Sequence, residues 1–140
     1  MFKNIIKMNQ VKKISFKSFG DDLSNIVVFE SESTAVPFKI ERVFNVSAPK
    51  NTTRGKHAHK KCTQLLVCAN GSIKVTCDNG HEKNQVVLDK SNIGLLVQPG
   101  VWAIQEYIED NSILTVICDE KYSEEDYIRD YQSFLKFINI

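Results

Sequence analysis

Three histidines, one tryptophan, three prolines and four cysteines are all that this chain of 140 residues holds of the types that most often betray chemistry or constrain a fold. Each scarcity excludes something. Cys62, Cys68, Cys77 and Cys118 form no C-x-x-C pair, which removes zinc-ribbon and thioredoxin-type motifs and predicts buried, reduced thiols. Neither sign of charge prevails: 18 Lys and Arg against 17 Asp and Glu leave +1, so there is no global field for gripping nucleic acid or an anionic membrane. Long apolar runs are missing too. The opening MFKNIIKMNQVKKISF is broken by lysines, and no later run is long enough to span a bilayer, which predicts a cytoplasmic protein. There is no repeat, low-complexity tract or linker. What is present, 42% hydrophobic and 25% charged residues, suits a globular chain, expected to form a single domain over 1–140.

The pattern is one of short apolar runs between turn signals. Strands are predicted over 25–31, 38–46, 56–59, 63–68, 72–77, 84–88, 94–97, 103–107 and 112–118, rich in the residues that suit a half-buried pleated surface. Asn70-Gly71 and Asn79-Gly80 are hairpin signals, because both residue types tolerate positive φ. His81, just after the second, is expected to be an exposed loop residue. Nine short strands at close spacing predict an all-β antiparallel sandwich or barrel. The last twenty residues differ. Ser123 followed by Glu124, Glu125 and Asp126 predicts a helix start, and Tyr127, Tyr131, Phe134 and Leu135 fall on one helical stripe, expected to pack on the barrel.

Two of the three histidines sit together in RGKHAHKKCTQ, residues 54–64. In a strand, residues i and i+2 share a face, so His57 and His59 face one way and Ala58 the other. A pair on an inner barrel wall is costly unless wet, paired or functional. The same parity turns Lys56 and Lys60 outward if that wall is the cavity.

Gly55-x-His57-x-His59, then Gln64 and Gly71, resembles the first motif of the cupin superfamily, and Pro99-Gly100 resembles the turn of the second. A cupin metal set would add a glutamate where Gln64 stands and a second-motif histidine, which this stretch lacks. Two protein ligands are too few for a usual catalytic metal, so no metal or other cofactor is expected. Taken together, RGKHAHKKCTQLLVCANGSIKV, PGVW and YSEEDYIRDYQSFL resemble the bacterial sugar 3,4-ketoisomerases of the RmlC-like cupins, the WxcM-like group, across nearly the whole chain. GDDLSNIVVFES and KIERVF fit that family's opening pattern.

The resemblance implies a jelly-roll barrel with a short C-terminal helix. It also implies an activity: conversion of thymidine diphosphate-4-keto-6-deoxyglucose to its 3-keto isomer, with no nicotinamide needed because no net redox change occurs. It assigns His57 and His59 the acid/base roles, in either order. Arg42 and Arg54 are expected to anchor the diphosphate, as guanidinium forks match phosphate oxygens, and Gln64, Asn45 and Trp102 to touch the substrate. Arg42 has a structural alternative, an ion pair with Glu41. A homodimer joined through N-terminal strands, an aminotransferase taking the product, and a destination in 3-amino-3,6-dideoxy sugars of surface lipopolysaccharide O-antigen are implied in the same way. Two positions depart from the family pattern: Phe44-Asn45, where a tyrosine is common, and Ala103, where a histidine usually follows the tryptophan. A 3,5-epimerase of the same barrel type and a non-catalytic sugar-nucleotide binder are the alternatives.

Overall fold

A computed structural model describes residues 8–139 of the chain; residues 1–7 and 140, which belong to the expected domain of 1–140, lie outside that range. Two five-stranded antiparallel sheets face one another. The first has the order β1 (Val11–Ser15), β9 (Ile93–Val97), β6 (Gln64–Asn70), β11 (Ser112–Cys118), β4 (Arg42–Ala48). The second runs β12 (Tyr127–Ile128), β5 (Thr53–His59), β10 (Trp102–Tyr107), β7 (Ile73–Asp78), β8 (Lys83–Leu88). A separate ribbon pairs β2 (Ser18–Gly20) with β3 (Asn25–Val27). This is the cupin-type jelly roll that the resemblance implies, with one short helix, α1 (Tyr131–Phe137), near the C-terminus.

Burial explains the strand patterns. On β7, Ile73, Val75 and Cys77 enter the core between the sheets while Lys74 and Thr76 stay partly exposed, the alternation of a strand wet on one side. β6 reads QLLVC without alternation because both its faces are covered. Leu66 and Cys68 enter the central core, and Leu65 and Val67 join Phe16, Val36 and Ile117 in a second cluster, against which Phe29, Phe38 and Ile40 pack. All four cysteines are buried and free.

Three expectations need correction. β1 and β2 were absent from the predicted strands, since lysines and small polar residues interrupt their apolar positions. Asn70-Gly71 does not close a hairpin: β6 and β7 lie in different sheets, and the turn crosses between them. Gly71 holds φ at +87°, and a Cβ there would collide with the Ser112 hydroxyl. Asn79-Gly80 does close the β7–β8 hairpin, and His81 beyond it is exposed.

The third correction is the C-terminal helix. Residues Glu124–Asp126 form a single 3-10 turn without side-chain capping by Ser123, and Tyr127 is on a strand. The α-helix starts later, capped by Asp130, whose carboxylate accepts from the Ser133 N–H at 2.9 Å. Its buried residue, Phe134, packs with Trp102, Ala58 and Ile128 on the outer face of the second sheet. Phe134→Ala is expected to cost about 3–5 kcal/mol of stability, the range for emptying a fully buried aromatic site; denaturant unfolding checks it.

Candidate active site

The site is set by a fault in a strand. Between β5 and β10 the register pairs Arg54 with Gln105 and Gly55 with Ile104, then jumps so that His57 pairs with Ala103. Lys56 is the extra residue. Gly55 and Lys56 both take positive φ, +85° and +59°. At Gly55 a Cβ would strike the Gln105 side chain, and the Ala103 carbonyl at 2.9 Å. Such a bulge resets the alternation of side chains. Arg54 and His57, three residues apart, therefore line the same cavity, while Lys56 stays exposed outside. Lys60 is exposed as well.

The cavity has a volume of about 180 Å³. Apolar side chains from the first sheet, among them Phe44, Val46, Leu66 and Val116, form one wall; Arg54, His57, Gln105 and Tyr107 face them, and Gln64, Tyr127 and Arg129 complete it. Sites that bury a drug-sized ligand run to roughly 300–1,000 Å³. This one has room for a sugar-sized group, and a larger ligand would extend over the rim. A larger groove, of about 630 Å³, runs outside the barrel past Lys60, Lys121 and the back of Asp126, but His57 does not line it.

Three rings meet at the polar end of the cavity, His57 and Tyr127 in its wall and His59 buried beside them. The His57 and His59 rings meet edge to face with centroids 5.1 Å apart, and Tyr127 lies 5.0 Å from the first and 4.4 Å from the second. Tyr127 reaches this place because β12 adds to the edge of β5, pairing Tyr127 with His59. His59 is buried and its Nδ1 is 2.7 Å from an Asp126 carboxylate oxygen. The other Asp126 oxygen accepts from the Lys61 N–H. With Nδ1–H given to Asp126, the proton-free nitrogen of a neutral His59 is Nε2, which is buried without a protein partner.

Burial, with His59 next, pulls His57 down to about 4. Burial also holds His59 below the ordinary imidazole value, against the opposing pull of Asp126. Both rings are thus neutral near pH 7, the form in which an imidazole accepts a proton.

Around this centre the guanidinium groups differ. Arg42, half-buried, donates from Nη1 to the Tyr127 hydroxyl at 3.4 Å and lies over the Phe44 ring at 5.2 Å. Glu41 instead pairs with Lys39. Arg54 is exposed at the cavity edge. Arg129 stacks on Tyr127 at 4.3 Å and is gripped by both oxygens of Glu124, at 2.7 and 2.9 Å. Gln64 is buried, with its amide 3.6 Å from the Cys118 sulfur.

The sequence-derived site gains and loses members here. His57, Arg54 and Gln64 line the cavity, with His59 and Arg42 against Tyr127. Asn45 does not join them. On β4 the inward residues are Arg42, Phe44 and Val46; Asn45 is exposed on the other face, accepting from the Thr115 hydroxyl at 2.7 Å. Trp102 does not line this cavity either. It points out of the barrel and packs edge to face on Tyr131, with ring centroids 5.2 Å apart. Ala103, its neighbour, stands across from His57 in the ladder. Tyr127, Asp126, Arg129 and Gln105 were not anticipated. The helical stripe had claimed the first, and the acidic helix start the second.

Among the described residues, His59, Cys62 and Asp126 offer one ligand atom each within 4.8 Å of one another. The donor set suits a cation poorly. Asp126 already accepts from His59 and the Lys61 N–H, and the Cys62 thiol is pushed well above its ordinary value, first by Cys118 and then by burial, so it stays protonated. Turnover is accordingly expected to be unchanged after dialysis against a chelator, assayed beside a zinc-supplemented sample.

A jelly roll with neutral imidazoles and a tyrosine at a sugar-sized cavity defines a cupin-type protein equipped for proton transfer. More narrowly, the chain belongs to the WxcM-like, C-terminal (FdtA) family, whose model matches residues 9–139. It is 39% identical over 128 residues to the TDP-4-oxo-6-deoxy-alpha-D-glucose-3,4-oxoisomerase of Aneurinibacillus thermoaerophilus, covering 91% of each chain. Among solved structures it resembles a variant of the 3,4-ketoisomerase QdtA from Thermoanaerobacterium thermosaccharolyticum in complex with TDP-4-keto-6-deoxyglucose. There the TM-score is 0.87 at 32% identity, over 93% of this chain and 94% of that one. It also resembles WlaRA, the TDP-fucose-3,4-ketoisomerase of Campylobacter jejuni, with a TM-score of 0.85 at 27% identity over 94% and 97%.

Proposed function

We propose that the chain is a sugar 3,4-ketoisomerase acting on thymidine diphosphate-4-keto-6-deoxyglucose. The observation that carries this reading is the placement of His57, held neutral, in the wall of a sugar-sized cavity beside Tyr127. A ketone at C4 acidifies the hydrogen on C3. His57 removes that proton, and the electron pair moves onto the C4 oxygen to give an enediolate. Tyr127, with its own hydroxyl proton free because Arg42 donates to its oxygen, protonates that oxygen, and Arg42 supports the charge that develops. Loss of the proton on the C3 oxygen and delivery of one to C4 leave the ketone at C3. The sum is an isomerisation: no electron leaves the sugar. His59 is the second imidazole, held in one tautomer by Asp126. The diphosphate lies over the rim, where Arg54 supplies a fork.

A homodimer, passage of the 3-keto product to an aminotransferase, and use in 3-amino-3,6-dideoxy sugars of O-antigen complete the proposal. Dimerisation suits the ribbon, which leaves Phe19, Leu23 and Ile26 exposed at 59%, 96% and 61%.

The test is incubation with thymidine diphosphate-4-keto-6-deoxyglucose in deuterated water, followed by NMR, with a C3-specific aminotransferase trapping the product. The expected result is a carbonyl at C3 and deuterium at C4. Deuterium at C5 with the carbonyl still at C4 would indicate a 3,5-epimerase; neither change would indicate a binder. Either outcome overturns the proposal.

A further inference from the structure

Tyr127 stands in a closed circuit of side chains, three of which the proton transfers do not use. Arg42 donates to its hydroxyl at 3.4 Å, and the Arg129 guanidinium lies over its ring, 4.3 Å from the centroid. Glu124 holds Arg129 there, accepting from Nε at 2.7 Å and from Nη2 at 2.9 Å. The same carboxylate accepts from the Tyr122 hydroxyl at 2.7 Å, and Arg42 lies 5.6 Å from the centre of the Tyr122 ring. The circuit thus runs from Tyr127 through Arg42, Tyr122, Glu124 and Arg129 back to Tyr127.

Packing does not explain it. Residues 122–125 are all exposed, and the Arg129 and Glu124 side chains are 52% and 57% exposed. An exposed ion pair adds little to folding stability, but a two-pronged grip on a guanidinium fixes its direction. The grip does not loosen at any working pH, since Arg129, and then Tyr122, hold Glu124 down to about 2. Without Glu124, the long Arg129 side chain gains rotamer freedom by leaving the ring for solvent. The Tyr127 hydroxyl would then be held by Arg42 alone, at a distance beyond the usual range for an N–H···O bond.

We propose that Glu124 is a positioning residue for the isomerisation: by pinning Arg129 on the Tyr127 ring, it keeps the donor hydroxyl in one orientation beside His57. The inference rests on the reading of Tyr127 as proton donor in a ketoisomerase. It differs from a structural role in one respect: removing Glu124 slows the reaction without weakening the fold.

The test compares Glu124→Ala, Glu124→Gln and the exposed neighbour Glu125→Gln with the wild type, using thymidine diphosphate-4-keto-6-deoxyglucose. Glu124→Ala is expected to lower kcat about 10- to 10²-fold, the upper figure being what a misplacement of about 1 Å costs. KM and the melting temperature should change little. Glu124→Gln still accepts from Arg129 and should recover part of the rate, and Glu125→Gln should match the wild type. In an Arg129→Ala background, Glu124→Ala should lower kcat no further, because the two act as one unit. Nuclear Overhauser contacts between the Arg129 side chain and the Tyr127 ring, present in the wild type, should be lost in Glu124→Ala. Wild-type kcat in Glu124→Ala, or a full additional loss in the Arg129→Ala background, overturns the proposal. So does persistence of the Arg129–Tyr127 contacts without Glu124, a result read with no sugar present. Failure of the ketoisomerase reading shows separately, as absence of 3-keto product from the wild-type protein.

Discussion

Turnover of His57→Asn is expected to fall by at least ~10²-fold, the lower end of what a positioned general base contributes. His57 is the imidazole that lines the cavity, and asparagine has no nitrogen that takes a proton near neutral pH. The loss should be in kcat more than in KM, because contacts made by Arg54 and the cavity walls are left in place. Folding should survive, since the ring is only partly buried and its neighbours are other rings.

A pH profile makes the same point without a mutation. Burial and the neighbouring imidazole bring His57 down to about 4. The kcat/KM of the wild-type protein should therefore hold as pH drops through the ordinary imidazole value of about 6.5, and fall as pH approaches 4. Stability moves differently. Below about pH 6.5 the unfolded chain binds a proton that the folded site resists, so folding stability declines from there down towards 4. Rates should be read only at pH values where unfolding is shown not to intrude. Loss of kcat/KM centred near 6.5 in folded protein, or wild-type turnover by His57→Asn, would remove His57 as the base.

Much of this was legible in the amino-acid pattern. Apolar runs located nine of the twelve strands among the described residues, because a half-buried sheet writes its period into the chain. The shared face of His57 and His59 followed from that period too. The bulge did not. Gly55 and Lys56 interrupt the alternation, and only the β10 register shows that Arg54 is carried inward with His57. Asn45 was lost for the complementary reason: β4 is regular, so adjacency to Phe44 puts it on the wrong face. Trp102 follows PGV in an apolar stretch, and nothing local distinguishes the cavity side from the side covered by α1. Tyr127 was hidden by coincidence. Its spacing to Tyr131, Phe134 and Leu135 fits a helix, yet a two-residue strand is favoured because it pairs with the open edge of β5.

Asp126 carries the second large effect. It is a positioning residue, acting through His59, and Asp126→Asn is expected to lower kcat by at least ~10²-fold, the low end of a general acid/base contribution. The backbone dictates how the new amide must sit. The Lys61 N–H points at one carboxylate oxygen and requires an acceptor there. The asparagine oxygen takes that position, which leaves the NH₂ group facing His59 Nδ1, where Asp126 accepted at 2.7 Å. Two donors cannot face each other, so the His59 proton moves to Nε2. The nitrogen that was a base becomes an N–H donor, aimed at the same buried space. Because the Lys61 bond survives, the melting temperature should stay close to that of the wild type. Asp126→Glu should restore part of the rate if its longer arm still reaches Nδ1. ¹⁵N NMR of the imidazoles reads the tautomer directly: His59 protonated on Nδ1 in the wild type and on Nε2 in Asp126→Asn. If the tautomer is unchanged, or if it switches while kcat stays within twofold of wild type, then Asp126 serves only to fasten β12 to the barrel and His59 has no part in the proton transfers.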